Sequence, residues 1–160
     1  MSNYAIYKSR GYQLNVLDDQ LEIISHSKDS VKYGFKELKF EQGFITQVLY
    51  TKKVDINDIE MAYKLEYKVI YKGTKFDPLS ISKHVLDENS IGLFTNNEKE
   101  AKEYGFIKKE QFIFEKKVPL DEIEVLIEIK KPIFKFQYME VEKTIIQQKD
   151  LREYLKNMLI

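Results

Sequence analysis

The chain of 160 residues contains no cysteine and no tryptophan, and it has only six glycines and three prolines. The absence of cysteine excludes disulfides, zinc–thiolate sites, iron–sulfur clusters and thiol nucleophiles. No apolar run approaches the ~20 residues that span a bilayer, and the first residues lack the basic-then-apolar pattern of a secretion signal. We therefore expect a cytoplasmic protein that binds no membrane.

The chain also lacks a net charge, because 26 Lys and Arg balance 26 Asp and Glu. A protein that binds mainly nucleic acid draws on a basic excess, so nucleic acid is not the expected partner. Glycine-rich phosphate-binding motifs and the G-x-S-x-G elbow are missing. His26 and His84 stand alone without metal-ligand spacing, so the sequence predicts neither a metal site nor a cofactor.

Aromatic and β-branched residues are abundant, with 11 Tyr and 10 Phe beside many Ile and Val. Such residues fit a pleated, half-buried surface, which favours strands. Apolar residues make up 43% of the chain, enough for a packed core, and the length suits one compact domain.

Three short blocks recur in the same order, which predicts two degenerate copies of one unit of roughly 65 residues. Five of the nine positions are identical in the longest block. The pairs are Ile6-Tyr7-Lys8 with Ile70-Tyr71-Lys72, Val16-Leu17-Asp18 with Val85-Leu86-Asp87, and Lys52–Glu60 with Lys116–Glu124.

The two copies are predicted over about residues 1–66 and 67–136. Lys52 and Lys116 are 64 positions apart, whereas the glycines of two Tyr-Gly-Phe sequences, Gly34 and Gly105, are 71 apart. The first copy therefore carries an insertion, which we place at about Lys36–Gln42. Any functional site is expected where the copies differ, because shared features are more simply explained as scaffold.

The patterning predicts an α+β fold. Two strand–strand–helix–strand–strand repeats would fuse into one mostly antiparallel sheet domain over residues 1–160. Apolar residues alternate from Ile59 to Tyr71, which indicates one long strand that ends copy one and begins copy two. Thr95 or Asn97 begins a short helix, with Thr95 and Glu98 in capping-box spacing and Gly105 after its end. Helical spacing predicts a C-terminal helical segment at about 140–160 that packs on the rest of the chain.

Acidic residues recur in the longest block of both copies and are candidate partner-binding residues. Paired carboxylates can also act as acid and base, but equivalent positions in two copies are more typical of a solvated face or a turn cap. As a contact surface they would attract a basic protein and speed encounter, with Tyr63 as an aromatic anchor. The residues are Asp55, Asp58 and Glu60, and Asp121, Glu122 and Glu124.

One set of motifs resembles the small ADP-ribosyltransferases. Tyr71-Lys72-Gly73-Thr74, then Gly92-Leu93-Phe94-Thr95 and a short helix, are similar in order to that family's Y-H-G-T or Y-R-G, Gly-Leu strand and helix. The resemblance implies catalysis with a nicotinamide dinucleotide, using Lys72, Thr74 and a glutamate at Glu110 or Glu115. Lys72 stands where that family has His or Arg.

A second resemblance covers more of the chain. The stretch from Leu93 to Phe106, followed by Lys117-Val118-Pro119 and Glu122-Ile123-Glu124, resembles immunity proteins of bacterial polymorphic or contact-dependent toxins. This resemblance implies a non-catalytic protein that neutralises a toxin domain by direct complex formation. An ADP-ribosyltransferase-like enzyme is the first alternative, and a module that self-associates through sheet edges is the second.

Overall fold

The computed structural model describes residues 2–158 and has an α+β fold, with twelve strands in an antiparallel sheet and a helix near the C-terminus. The contacts within the chain divide it into two compact units. Unit 1 comprises residues 2–65 and 130–141, and unit 2 comprises residues 66–129 and 142–158. This division lies beside the predicted copy boundary, and the single domain over 1–160 stays a prediction.

Unit 1 has the strand order β4-β5-β3-β2-β1, and β1 pairs with the beginning of β6. A 3₁₀ helix, Lys28–Tyr33, joins β3 to β4, and a shorter one, Ile56–Asp58, follows β5. A third one, Phe134–Phe136, lies in the second segment of the unit. The strands are β1 (Ser2–Tyr7), β2 (Arg10–Leu17), β3 (Gln20–Ser25), β4 (Lys36–Gln42), β5 (Ile45–Val54) and β6 (Met61–Tyr71).

Unit 2 continues from the second half of β6 in the order β6-β7-β8-β10-β9. Strand β11 (Val125–Pro132) begins in unit 2 and pairs with β12 and β6. The other strands are β7 (Thr74–Pro78), β8 (Ser90–Thr95), β9 (Ile107–Glu110), β10 (Ile113–Pro119) and β12 (Glu142–Gln147). The helices are α1 (His84–Glu88), α2 (Glu98–Tyr104) and α3 (Gln148–Lys156), with a 3₁₀ helix at Leu120–Glu122.

Each unit has its own apolar core, because alternate side chains of each strand point to the same face of the sheet. The core of unit 1 includes Ala5, Tyr7, Leu14, Ile23, Phe35, Tyr50, Ile59, Ala62 and Phe136. The core of unit 2 includes Val69, Tyr71, Phe76, Leu93, Phe106, Val118, Leu126, Leu151 and Leu155. The alternation predicted from Ile59 to Tyr71 is confirmed as the long strand β6.

The C-terminal prediction is partly wrong. Residues Glu142–Gln147 form strand β12, and the helix begins only at Gln148. Ile145 is exposed and Ile146 is buried, which is the alternation of a strand. Helix α3 does pack on the rest of unit 2, as predicted, through Leu151 and Leu155. The predicted segment also reaches residues 159–160, which lie outside the described residues.

Three local predictions are also wrong. The capping box of Thr95 and Glu98 does not form; of the two predicted caps it is Asn97 that caps α2, because its side chain accepts the amide of Glu100. Val16-Leu17-Asp18 and Val85-Leu86-Asp87 are not equivalent, since the first ends a strand and the second lies in α1. Each unit has three strands before its helical turn rather than two. The added strands, β2 and β7, are short or interrupted by glycine, which weakens their sequence signal.

Candidate functional site

Unit 1 contains a lysine held between a helix end and an aromatic ring. Lys52 Nζ donates a hydrogen bond to the carbonyl oxygen of Tyr33 at 2.9 Å and lies 5.1 Å from the centre of the Tyr7 ring. Gly34 ends the 3₁₀ helix with φ of 87°, and a Cβ at this position would lie 3.4 Å from Lys52 Nζ. The left-handed φ is therefore the main reason for glycine at this position, and the ammonium lies directly beside it.

Unit 2 contains the same arrangement. Lys116 Nζ donates to the carbonyl oxygen of Tyr104 at 2.8 Å and lies 5.2 Å from the centre of the Tyr71 ring. Gly105 has φ of 76°, and its Cβ would also lie 3.4 Å from the ammonium. A cation at a helix C-terminus and over a tyrosine face is favourable on both counts. Both lysines therefore stabilise the local fold.

Glu60 and Glu124 also have matching roles. Glu60 accepts the backbone amide of Ser9 at 2.8 Å, and Glu124 accepts that of Gly73 at 2.9 Å. Both amides belong to two-residue hairpin turns, and the two residues of each turn have positive φ, which is typical of a type I′ turn. These two candidate residues therefore have a structural role, because each stabilises a hairpin turn of its own unit.

The remaining acidic candidates are spread over turns. Asp55 caps the Ile56–Asp58 helix by accepting the amide of Asn57, at 2.8 Å, while Asp58 is exposed. Asp121 lies 3.2 Å from the guanidinium of Arg152, and Glu122 is exposed.

Tyr63 is only 8% exposed and stacks on Tyr4 with ring centres 5.8 Å apart. Lys130 Nζ lies 5.0 Å from the centre of the Tyr63 ring. Tyr63 is therefore part of the packed interior of unit 1.

The residues suggested by the ADP-ribosyltransferase resemblance lie in different settings. Lys72 occupies the β6–β7 turn with its ammonium 5.3 Å from the Tyr71 ring centre, and the Thr74 hydroxyl is 2.5 Å from that of Tyr104. Glu110 is exposed at the end of β9. Glu115 is the neighbour of Lys116 on β10, so the two side chains point to opposite faces of the strand. Lys116 is the residue whose ammonium contacts Tyr71.

Unit 2 has an open groove of about 500 Å³ beside the segment that joins β7 to β8. That segment contains α1, whereas only two residues join β2 to β3 in unit 1. The groove is lined in part by Leu79, His84, Glu88, Ile107, Glu115 and Lys117. Its charged groups have both signs, and the Lys117–Glu88 pair, at 3.9 Å, is largely solvent-exposed. His84 begins α1.

The hairpin formed by β4 and β5 is the second place where the units differ. Strand β4 coincides with the predicted insertion Lys36–Gln42, and all seven of its residues are exposed. The turn, Gly43-Phe44, has a positive φ at glycine only, as a type II′ turn requires. In unit 2 the corresponding strand, β9, has only four residues.

Four large apolar side chains are exposed on this hairpin. Leu38, Phe40 and Gln42 are alternate residues of β4, so their side chains lie on one face. Ile45 lies on the same face, because it pairs directly with Gln42. Phe44 is fully exposed at the tip, and Ile45 is 73% exposed. We call these four residues the hairpin cluster. The sequence located the segment but missed this cluster, although Leu38 and Phe40 alternate with charged residues there.

Two tyrosine hydroxyls and a carboxylate form hydrogen bonds between helix α3 and the strands of unit 2. The hydroxyl of Tyr154 lies 2.7 Å from that of Tyr67 and donates to the carboxylate of Glu128. Burial, with these hydrogen bonds, raises the pKa of Tyr154 well above its ordinary value. No group of three or more metal-ligating side chains occurs among residues 2–158. No helix within the same range is long and apolar enough to cross a membrane.

The geometry therefore defines an α+β protein of two antiparallel units, one of which presents an exposed apolar hairpin. A family model described as "Uncharacterised conserved protein UCP033725" matches residues 1–135, so the chain belongs to this family. No curated protein and no solved structure matches the chain. The matched range includes the β4–β5 hairpin and ends before β12 and α3.

Proposed function

We propose that this protein binds another protein through the β4–β5 hairpin, and that the partner is a toxin domain that it neutralises in the cytoplasm. The hairpin cluster is the observation that carries this proposal. Four apolar side chains on one hairpin are costly to leave in water, and exposed apolar patches mark protein-binding sites. A few such anchors supply most of the affinity of an interface.

The toxin as partner is supported by the sequence resemblance to immunity proteins. Neutralisation would follow from occlusion, because a bound hairpin blocks whatever surface of the toxin it covers. Exposed acidic residues such as Asp58 and Glu122 would contribute to the rate of encounter more than to affinity. Asp55, Glu60, Asp121 and Glu124 already have partners within their own unit.

We also infer that the two units descend from one duplicated unit. The support is the match between Lys52 and Lys116 and between Glu60 and Glu124, each pair with the same kind of contact in its own unit. Under this inference, the shared groups maintain the fold, and the longer hairpin of unit 1 is free to take a function.

The test uses a double variant, Phe40→Ser with Phe44→Ser, co-expressed with the product of the neighbouring open reading frame, which serves as the candidate toxin domain. Wild-type protein should restore growth, and the double variant should lose protection and at least about tenfold in affinity, because two anchors are removed. Its unfolding midpoint in urea should stay near that of the wild type, since both rings are exposed.

Phe112→Ser is the matched control. Phe112 is also an exposed phenylalanine in a hairpin turn, but in unit 2, so this variant should still protect. Equal protection by the hairpin double variant would refute the proposed interface. The absence of any growth protection by the wild-type protein would refute the toxin as partner.

A further inference from the structure

Strand β4 is the terminal strand of the sheet order, and within residues 2–158 its partner strand is β5 alone. Residues that flank a two-residue hairpin turn form a hydrogen-bonded pair, and such pairs alternate along an antiparallel ladder. Gln42 and Ile45 flank the turn, so Phe40 and Leu38 also bond to β5. The backbone amides and carbonyls of Glu37, Lys39 and Glu41 therefore point away from β5 toward the open edge.

The side chains of β4 divide by face. Leu38 and Phe40 lie on the apolar face of the hairpin. Glu37, Lys39 and Glu41 lie on the other face, where Lys39 Nζ is 3.7 Å from the Glu37 carboxylate. The open edge thus offers three backbone donor–acceptor sites, an apolar face and a charge sequence of minus, plus, minus.

We propose that the toxin domain binds by adding an extended segment of its own to the open edge of β4. The proposal rests on the proposed function and specifies how the hairpin binds. Strand addition combines main-chain hydrogen bonds with side-chain contacts on alternate faces. The matching segment has apolar residues beside Leu38 and Phe40, and it places basic residues opposite Glu37 and Glu41, with an acidic one opposite Lys39.

A second copy of this chain fits the edge less well. If two β4 strands paired antiparallel over their full length, Glu37 would face Glu41 and Lys39 would face the same lysine of the other copy. Like charges directly opposite each other destabilise a strand pair. A segment of complementary charge on a different protein avoids this repulsion.

The variant Lys39→Pro tests the proposal. Proline removes the central outward amide but no bond to β5, and edge strands tolerate proline at such positions. Lys39→Ala is the matched control, because it removes the same side chain and keeps the amide. Titration calorimetry with the toxin domain should show at least about tenfold weaker binding for Lys39→Pro than for Lys39→Ala.

Amide hydrogen exchange of the wild-type complex gives a second measurement that needs no variant. Binding should slow exchange at Glu37, Lys39 and Glu41 at least about tenfold, whereas the amides of Leu38 and Phe40 should be protected already in the free protein. This measurement decides the question if Lys39→Pro does not fold.

The outcomes separate the two proposals. Suppose that the Phe40 and Phe44 double variant loses binding, that Lys39→Pro binds normally, and that the outward amides still exchange rapidly in the complex. Strand addition is then wrong, and the hairpin interface stands. If the wild-type protein does not bind the toxin domain, the proposed function fails, and strand addition to a toxin fails with it. If light scattering shows a dimer that Lys39→Pro dissociates, the occupant of the edge is a second copy.

Discussion

Lys52 and Lys116 show how one residue type can serve two partners at once. A lysine stem is long enough to cross the strand surface, and its ammonium has three donors. The ammonium donates one hydrogen bond to the last carbonyl of the helical turn, and it also makes a cation–π contact with a tyrosine ring. The same residue therefore joins the helical turn of each unit to the strand that carries the tyrosine.

The substitution Lys116→Met should destabilise the protein by about 1–3 kcal/mol. Methionine keeps the apolar packing of the stem but loses a charged hydrogen bond to the carbonyl of Tyr104 and the contact with Tyr71. Urea unfolding measures the change. Lys117→Met is the control, and it should cost less than about 0.5 kcal/mol because this neighbouring side chain is exposed. Equal losses in the two variants would contradict the assigned role.

Tyr154 should make the stability depend on alkaline pH. Its pKa is raised in the folded protein, mainly by burial and then by its hydrogen bonds to Glu128 and Tyr67. Unfolded chains lose the tyrosine proton near pH 10, whereas the folded protein keeps it, so stability is complete below pH 10 and falls as pH rises above it. Because one proton is involved, the free energy of unfolding falls by at most about 1.4 kcal/mol per pH unit. Partial exposure of the Tyr154 side chain makes this slope smaller.

Urea unfolding of Tyr154→Phe between pH 8 and pH 11 tests this dependence. Phenylalanine does not titrate, so the variant should lose stability less steeply than the wild type above pH 10. Tyr138→Phe serves as the control, because Tyr138 is 83% exposed and should leave the wild-type slope unchanged. Parallel slopes for Tyr154→Phe and wild type would show that this tyrosine titrates normally in the folded protein.

At the scale of elements, α3 is an integral part of unit 2 although it lies beyond the family match. Leu151 and Leu155 are 1% and 0% exposed and belong to the core of that unit. Asn157 ends the helix, and its backbone amide bonds to the carbonyl of Tyr154. The short strand β12 brings the chain to the start of the helix, where the Gln148 amide bonds to the carbonyl of Glu124.

The substitution Leu155→Ala should therefore cost about 2–5 kcal/mol, the range for removing a buried leucine side chain from a packed core. Thermal unfolding followed by circular dichroism gives the measurement. Ile145→Ala is the matched control on β12, where the side chain is 55% exposed, and its cost should be much smaller. A small effect of Leu155→Ala would mean that α3 is only loosely attached.

Elements with a clear period could be predicted from the sequence. The alternation of β6 and the glycine after the short helix, Gly105, are local signals, and both predictions are confirmed. The start of α3 was missed because Ile145 and Ile146 fit helical spacing as well as a strand that is buried on one face. Short apolar runs do not distinguish the two structures until their pairing partner is known.

At the scale of the whole molecule, the repeated blocks predicted a copy boundary near residue 66 and an insertion at Lys36–Gln42. The division between the two units and strand β4 lie at these positions. They could not reveal what the inserted residues do, because exposure depends on which strands lie next to them. The carboxylates of the longest block illustrate the same limit. Glu60 and Glu124 bind turn amides that lie 51 positions away in the chain, a contact that no local pattern shows.

Glu60 and Glu124 stabilise two hairpin turns whose residues differ, and this difference affects how readily each turn forms during folding. The β6–β7 turn has glycine at its second position, whereas Lys8 and Ser9 both adopt positive φ in the β1–β2 turn. A left-handed conformation costs a non-glycine residue about 1–2 kcal/mol, so the unfolded chain forms the β1–β2 turn at least about fivefold less often. We therefore expect hairpin nucleation to favour the β6–β7 pair, while Glu60 stabilises the turn that is more costly to form.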